Sequence, residues 1–235
     1  MSEHASLAGP EVGQFPTLTN WNEYVGQDWL YSYGSNEAHR HFRGKLEEEQ
    51  AELREALAQG NVDDIVAEGG DVAWCATAIA FNAGITVDEA IDGSTIGGAG
   101  TPEDIDQLAA NGLQYWDVPG VKAARNLSDA EVNKLMKAGD KEMLALVIAE
   151  LSHQVCKSTE IYRKFLAEEN TENNQWLYLH ESRIKEGISE LLVAVAIGAR
   201  DANKTLSDVL QGTYAKLESR KASNRPITKL PRPLF

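Results

Sequence analysis

The sequence has few cysteines, few basic residues and no long apolar run. Its 235 residues include only Cys75 and Cys156, without a Cys-x-x-Cys pair, which argues against a disulfide framework or a zinc cluster. Lysine and arginine number 22 against 36 aspartates and glutamates, so the formal net charge is −14. A broad surface for duplex nucleic acid needs clustered basic residues and is therefore not expected. The longest apolar run, residues 72–81, is too short to span a bilayer.

A signal peptide and regular strand patterns are also missing. The first 18 residues lack the basic stretch and apolar core of a secretory signal, so we expect a cytoplasmic protein without a membrane partner.

Alternating strand patterns are scarce, whereas apolar residues recur at helical spacing. Hydrophobic residues form 43% of the chain, which is typical of a globular protein with a buried core. We predict an all-α fold.

Capping residues place the predicted helices along the chain. Ser35 or Asn36 caps a helix over about residues 36–58, which ends at Gly60. A second long helix is predicted over about residues 62–83. The remaining predictions are a short helix or packed loop over 20–33, helices over about 86–91, 141–168, 175–202 and 205–222, and helices that begin near 102 and 128.

The composition divides the chain into one helical domain with two tails. We predict a flexible N-terminal tail over residues 1–18, an all-α domain over 19–222 and an extended C-terminal tail over 223–235. Within the domain we distinguish a motif-bearing half (19–92), a connector (93–140) and a degenerate second half (141–222).

A faint internal repeat supports two halves. Asp71 and Glu190 each precede an apolar helical stretch, and a threonine follows fifteen residues later at Thr86 and Thr205. We predict two degenerate helical hairpins packed against each other as a pseudo-dimer within one chain. Two unrelated amphipathic helix pairs would produce the same similarity and stay open as the alternative.

Acidic residues gather on the first two long predicted helices. In the segment KLEEEQAEL, Glu49 and Glu52 are three residues apart and therefore lie on one helix face. Glu68 and Asp71 repeat this spacing on the next helix. Because the connection at residues 59–61 is short, the two helices should run antiparallel as neighbours, with the acidic pairs facing each other.

These acids have two interpretations. A glutamate-rich segment alone is typical of a solvated helix face with lysine and arginine partners. Glu68-Gly-Gly-Asp71 is less typical of a surface, because two glycines lower helix propensity and Asp71 precedes the apolar Trp74. Converging carboxylates are stable only when they are protonated or bind cations. Oxygen ligands without histidine or cysteine favour Mg²⁺, with Mn²⁺ as the alternative.

The acidic pattern resembles a known enzyme family. Lys-Leu followed by EExxE, a spacer and ExxD before an apolar helix is similar to the MazG-type, all-α nucleoside triphosphate pyrophosphohydrolases. The resemblance covers about residues 36–91. It implies Mg²⁺-dependent hydrolysis of the α–β bond of a nucleoside or deoxynucleoside triphosphate, giving the monophosphate and pyrophosphate. The matching acids are Glu48, Glu49, Glu52, Glu68 and Asp71.

The resemblance also implies roles for these acids. Glu49, Glu52, Glu68 and Asp71 would ligate the metal. Glu48 would be a further ligand or would orient the attacking water, and we assign it the catalytic role.

The Lys-x-x-x-Arg pattern that binds phosphates in this family is absent from the first half. The family often carries Lys-x-x-x-Arg after the acidic hairpin, and here this pattern occurs in the second half, as Lys216 and Arg220. We therefore hypothesise one composite site per chain, with metal ligands from the first half and bases from the second. The alternative is that both bases are solvated helix residues. We add Lys45 and Trp74 to the predicted substrate-binding residues, whereas Ala78 replaces an asparagine that is frequent in the family.

Two other functions stay open on the sequence alone. The irregular second half would suit a non-catalytic helical interaction protein with a decayed site. Glu150-Leu-Ser-His153 is one of the two motifs that a di-iron carboxylate bundle needs. The base and sugar of the substrate also stay open, with damaged nucleotides (house-cleaning), dNTP pool control and a phosphoribosyl-ATP-type substrate as the candidates. A homodimer is open as the oligomeric state.

Overall fold

The computed structural model describes residues 17–26, 34–94, 97–110, 140–167 and 174–223. Within these ranges the protein forms eight α-helices and no β-strand, so the all-α prediction is confirmed. None of the described helices is long and apolar enough to cross a membrane.

The helices follow the predicted boundaries closely. Six predicted helices agree with the observed ones to within one residue at either end. The short helix or packed loop predicted over 20–33 is observed as a helix over Leu18–Val25, and residues 27–33 lie outside the described residues. The predicted helix from residue 128 and almost all of both predicted tails lie outside the described residues, and the domain division stays a prediction. The elements are α1 (Leu18–Val25), α2 (Asn36–Gln59), α3 (Val62–Asn82), α4 (Val87–Asp92), α5 (Pro102–Ala110), α6 (Asp140–Ala167), α7 (Asn174–Asp201) and α8 (Leu206–Ala222).

Local capping explains where the acidic hairpin begins and turns. The Ser35 hydroxyl accepts a hydrogen bond from the Ala38 amide at 3.0 Å at the start of α2. Gly60 ends α2 with a left-handed φ of 69°, a conformation that favours glycine. Asn61 then caps α3 by accepting from the Asp64 amide. The turn between α2 and α3 is therefore encoded within a few residues.

Two helical hairpins pack against each other. One is α2 with α3 and the other is α6 with α7; α2 packs on α6, and α3 packs on α7. Helix α4 packs on α7 and helix α8 packs on α3, so each hairpin is covered by the helix that follows the other hairpin. Every side chain over residues 72–80 and 191–199 is buried, which places α3 and α7 at the centre of the core. This arrangement agrees with the pseudo-dimer prediction, whereas a shared origin of the halves stays a prediction.

The two glycines of α3 allow close helix packing. A Cβ atom on Gly70 would lie 1.8 Å from Thr213 Oγ1 and 3.0 Å from the Val209 carbonyl oxygen, both on α8. A Cβ atom on Gly69 would lie 3.3 Å from Val195 Cγ1 on α7. Gly70 thus allows α8, and Gly69 allows α7, to pack closely against α3 beside Asp71.

Arg163 of α6 holds the open end of the acidic hairpin. Its Nη1 donates to the Asn82 carbonyl oxygen at 2.7 Å, and its Nη2 donates to the Gly34 carbonyl oxygen at 2.7 Å and to Asn36 Oδ1 at 3.1 Å. One side chain of the second half therefore fixes both the start of α2 and the end of α3.

Candidate functional site

Glu49, Glu68 and Asp71 gather on the facing sides of α2 and α3. One carboxylate oxygen from each residue lies within 4.8 Å of the others. In the part of the chain that the structure describes, this is the one group of three or more acidic, histidine or cysteine donors spaced for a metal ion. The antiparallel turn at Gly60 creates the juxtaposition, because it brings residues three apart on one helix opposite residues three apart on the next.

The three carboxylates differ in their exposure to water. Glu49 is 4% exposed and lies on the inward face of α2, between the buried Leu46 and Leu53. Glu68 and Asp71 are half-buried and line the edge of the cluster. A ligand would therefore reach Glu49 from the side of Glu68 and Asp71.

Two lysines contact the cluster. Lys45 Nζ donates to Glu48 Oε2 and Glu49 Oε1, each at 2.7 Å, and its side chain is 8% exposed. Lys216 Nζ, on α8, donates to Asp71 Oδ2. The acidic cluster is thus partly neutralised by one lysine from its own helix and one from the second half of the chain.

Burial and neighbouring charge change the protonation of Glu68. Desolvation, together with the charges of Asp71 and Glu49, raises the pKa of Glu68 to about 7, although Lys216 acts in the opposite direction. Without a bound cation, this carboxyl therefore exchanges a proton near neutral pH.

The donors suit a hard divalent cation. Glu49 Oε2 and Glu68 Oε2 are buried and have no hydrogen-bond partner, which is costly unless another ligand satisfies them. Cys75 lies close by but is buried and is not part of the three-donor group, and burial raises the pKa of its thiol well above the usual value. Carboxylate oxygens alone favour Mg²⁺ or Mn²⁺ over zinc.

The remaining predicted acids lie around this group. Glu52 is half-buried on α2, one turn after Glu49, and is outside the three-carboxylate group. Glu48 is adjacent to the cluster through its bond to Lys45, and its side chain is 36% exposed. Glu47 is exposed and pairs with Arg43 at 3.4 Å, so it faces away from the cluster.

Two predicted substrate-binding residues are not presented to a ligand in this arrangement. Lys45 is buried, and its ammonium group bonds Glu48 and Glu49. Trp74 is 4% exposed and packs edge-on against Trp21 and Tyr24, with ring centroids 6.2 and 6.1 Å away. Their assignment to substrate binding stays a prediction without structural support. We did not predict the ion pairs of Lys45 with Glu48 and Glu49. The sequence signal for them is the spacing, because Lys45 precedes these glutamates by three and four residues.

The predicted bases of the second half lie on α8. Arg220 follows Lys216 by four residues, and both side chains are half-buried. Sequence reasoning assigned Lys216 to phosphate and missed its contact with Asp71, because that contact depends on how α8 packs on α3.

The second half does not assemble an equivalent group among its described residues. Glu190 occupies the place that corresponds to Asp71, and desolvation together with Glu186 raises its pKa to about 7. Glu150 is half-buried and His153 is exposed, and neither joins a three-donor group in the described part of the chain. The arrangement that a di-iron bundle needs is therefore not formed by these residues.

Comparison with known families agrees with the geometry. Residues 30–93 match the family model described as phosphoribosyl-ATP pyrophosphohydrolase. The matched range includes α2, α3 and α4 with all five acids, and it ends before α8. No curated protein and no solved structure matches the chain. The matching family belongs to the all-α nucleoside triphosphate pyrophosphohydrolases, so the acidic hairpin is similar to enzymes that hydrolyse a phosphoric anhydride of a nucleotide-like substrate.

Proposed function

We propose that this protein is a Mg²⁺-dependent nucleoside triphosphate pyrophosphohydrolase. The observation that carries the proposal is the convergence of Glu49, Glu68 and Asp71 oxygens within 4.8 Å of one another, inside the range that matches a pyrophosphohydrolase family. The reaction adds water across the α–β anhydride of a nucleoside or deoxynucleoside triphosphate. The products are the nucleoside monophosphate and pyrophosphate.

The acids of α2 and α3 would hold the metal. Glu49, Glu68 and Asp71 supply oxygens from the two facing helices, and Glu52 supplies a further one from the next turn of α2. When bound, Mg²⁺ neutralises triphosphate charge and lowers the pKa of a coordinated water. Glu68 must lose its proton to act as a ligand, and its pKa of about 7 allows this at neutral pH.

Glu48 is the residue that we assign to the attacking water. It lies next to the metal ligands but outside their group, and Lys45 holds its carboxylate in place at 2.7 Å. In this position it orients the water and accepts the proton that the water loses as the phosphorus–oxygen bond forms. The electron pair of the broken anhydride bond leaves with pyrophosphate.

Lys216 and Arg220 would bind the phosphates. They lie one helical turn apart on α8, and Lys216 already reaches the edge of the acidic cluster. Local cations are needed because the chain has a net charge of −14 and the substrate is anionic. The second half of the chain therefore completes a site whose metal ligands come from the first half.

A substrate panel tests the proposed reaction. Pyrophosphate release would be measured with canonical and oxidised nucleoside triphosphates, their deoxy forms, and phosphoribosyl-ATP, with Mg²⁺, Mn²⁺ or EDTA. We expect at least one substrate to be cleaved with either metal, EDTA to abolish cleavage, and Asp71→Asn to be inactive. Absence of cleavage, together with no shift in Tm from metal or nucleotide, would instead favour the non-catalytic interaction protein.

Two alanine variants test the composite site. We expect Lys216→Ala and Arg220→Ala to raise KM and lower kcat, because each removes a charge that contacts the triphosphate. Wild-type KM and kcat in both variants would show that the second half contributes nothing to the site.

A further inference from the structure

The two lysines at the acidic cluster are held in different ways. Lys45 is buried and bonds two carboxylates of its own helix, Glu48 and Glu49. Lys216 bonds the single carboxylate of Asp71, and its side chain is 27% exposed. Lys45 is therefore fixed within α2, whereas Lys216 reaches the cluster from a separate helix and at its solvent edge.

The contact of Lys216 conflicts with a metal ion at the same residue. Asp71 offers one of the three oxygens that converge on the candidate metal position. An ammonium group and a divalent cation that both contact the carboxylate of Asp71 would lie close together and repel each other. A metal that binds Asp71 must therefore displace Lys216 or share the carboxylate at a cost.

The displaced lysine has an alternative partner. A triphosphate at the cluster would bring new negative charge to the side on which α8 lies, and the lysine side chain is long and flexible. The position of Lys216 on α8, next to the open edge formed by Glu68 and Asp71, allows it to turn from the carboxylate to a phosphate.

We propose that Lys216 is the exchangeable counter-ion of the site: it neutralises Asp71 before the metal binds and transfers its contact to the phosphates when the metal–nucleotide complex is bound. This inference rests on the proposed function. Lys216 then opposes binding of the free metal and favours binding of the metal together with a polyphosphate. The site would thereby select the complex over the bare ion, which is a coupling between two ligands.

Direct binding measurements test the exchange. The affinity for Mn²⁺ alone would be measured at pH 8 from the electron paramagnetic resonance signal of the free ion. The affinity for preformed Mn²⁺–tripolyphosphate, which presents the phosphate chain of the substrate without base or sugar, would be measured by calorimetry. Lys216→Met is compared with Lys221→Met, an equal charge change on the same helix at a residue that contacts Glu218.

The expected effects have opposite signs. Lys216→Met should bind Mn²⁺ alone roughly two- to tenfold more tightly, and Mn²⁺–tripolyphosphate more weakly by a similar factor. Lys216→Gln should behave in the same way, Lys216→Arg should stay close to wild type, and Lys221→Met should change either affinity less than about twofold.

The outcomes separate this inference from the proposed function. Unchanged or weaker Mn²⁺ binding by both neutral variants, with wild-type Tm, would overturn the exchange while leaving the metal site intact. Weaker binding of both ligands would also overturn it, because it would indicate a purely structural role for Lys216. Failure of the wild-type protein and of both neutral variants to bind Mn²⁺, either alone or with tripolyphosphate, would overturn the metal site and the proposed function together.

Discussion

Glu47, Glu48 and Glu49 are consecutive in the sequence, yet each has a different environment. Glu47 is exposed and pairs with Arg43, Glu48 lies at the rim of the cluster, and Glu49 is buried within it. The 100° rotation between successive helix positions produces this division. Of three identical side chains, Glu47 therefore forms a surface ion pair, Glu48 has the proposed catalytic role and Glu49 is a proposed metal ligand.

The neighbouring glutamates provide a matched pair of variants. We expect Glu49→Gln to lower kcat/KM by roughly a hundredfold or more, because it removes a charged metal ligand from the centre of the cluster. Glu47→Gln should stay within about twofold of wild type, since its ion pair is at the surface. Pyrophosphate release with the best substrate measures both. Equal activity of the two variants would contradict the assignment of Glu49.

Glu190 makes stability depend on pH. Burial and Glu186 raise its pKa from 4.5 to about 7, so the folded protein binds this proton more tightly than the unfolded chain. Proton binding at Glu190 therefore contributes to the free energy of unfolding. This contribution is complete below about pH 4.5 and is lost as the pH rises through 7.

Glu190→Gln should remove this dependence. We expect the variant to exceed the wild type in free energy of unfolding by on the order of 1 kcal/mol at pH 8 and to match it at pH 4.5. Urea unfolding at both values measures the difference. Glu142→Gln, at an exposed position of α6, serves as the control and should show no such change between the two pH values. An equal effect at both pH values would indicate a packing contribution instead.

At the scale of elements, the close packing of α8 on α3 depends on Gly70, which has no Cβ atom. The Cβ of an alanine at residue 70 would overlap Thr213 Oγ1 and lie 3.0 Å from the Val209 carbonyl oxygen, so the Thr213 side chain must shift and the α8 backbone at Val209 must give way slightly. Lys216 is on the same helix, one turn beyond Thr213. The packing of two helices and the composition of the proposed site are therefore linked through Gly70.

Gly70→Ala tests this link. We expect it to lower the free energy of unfolding by about 2 kcal/mol through overpacking, and to lower kcat/KM because Lys216 shifts. Gly44→Ala is the matched control, since nothing lies within 4 Å of a Cβ atom there. Its expected effect is a gain of about 0.5–1 kcal/mol from helix propensity alone. Urea unfolding and pyrophosphate release measure both variants. Greater stability of Gly70→Ala than of wild type would contradict the packing argument.

The helices were predictable because their signals are local. Ser35, Gly60 and Thr86 act through contacts with residues at most four positions away, so helix boundaries follow from the sequence itself. The facing acids on α2 and α3 follow likewise from spacing and a short turn. These features required no knowledge of the rest of the chain.

The contacts between distant segments were not predictable. Gly69 and Gly70 stood out only for their low helix propensity, and their reason lies in Thr213 and Val195 on other helices. The contact of Lys216 with Asp71 depends in the same way on the packing of α8 against α3. Such contacts depend on how the helices pack in three dimensions, which local helix propensity does not predict.

For the whole molecule, two hairpins share one core but differ in chemistry. Each hairpin is covered by the helix that follows the other, α8 on α3 and α4 on α7. Glu190 corresponds to Asp71, but Glu186 precedes it by four residues where Glu68 precedes Asp71 by three. The described residues around Glu190 do not form a three-donor group, so the approximate symmetry of the helices does not extend to the acids.

This asymmetry predicts that metal binding belongs to the first half of each chain. Calorimetric titration with Mn²⁺ should give the same stoichiometry per chain for wild type and Glu190→Gln, whereas Asp71→Asn should lose binding or weaken it by roughly tenfold or more. At pH 8, above the pKa of about 7 of Glu190, the two variants remove about one charge each from corresponding helices, so a general effect of net charge would change both alike. A lower stoichiometry in Glu190→Gln would reveal a second metal site in the α6–α7 hairpin. Retention of wild-type affinity in Asp71→Asn would place the metal elsewhere, because Asp71 supplies one of the three carboxylate oxygens that converge at the candidate metal position.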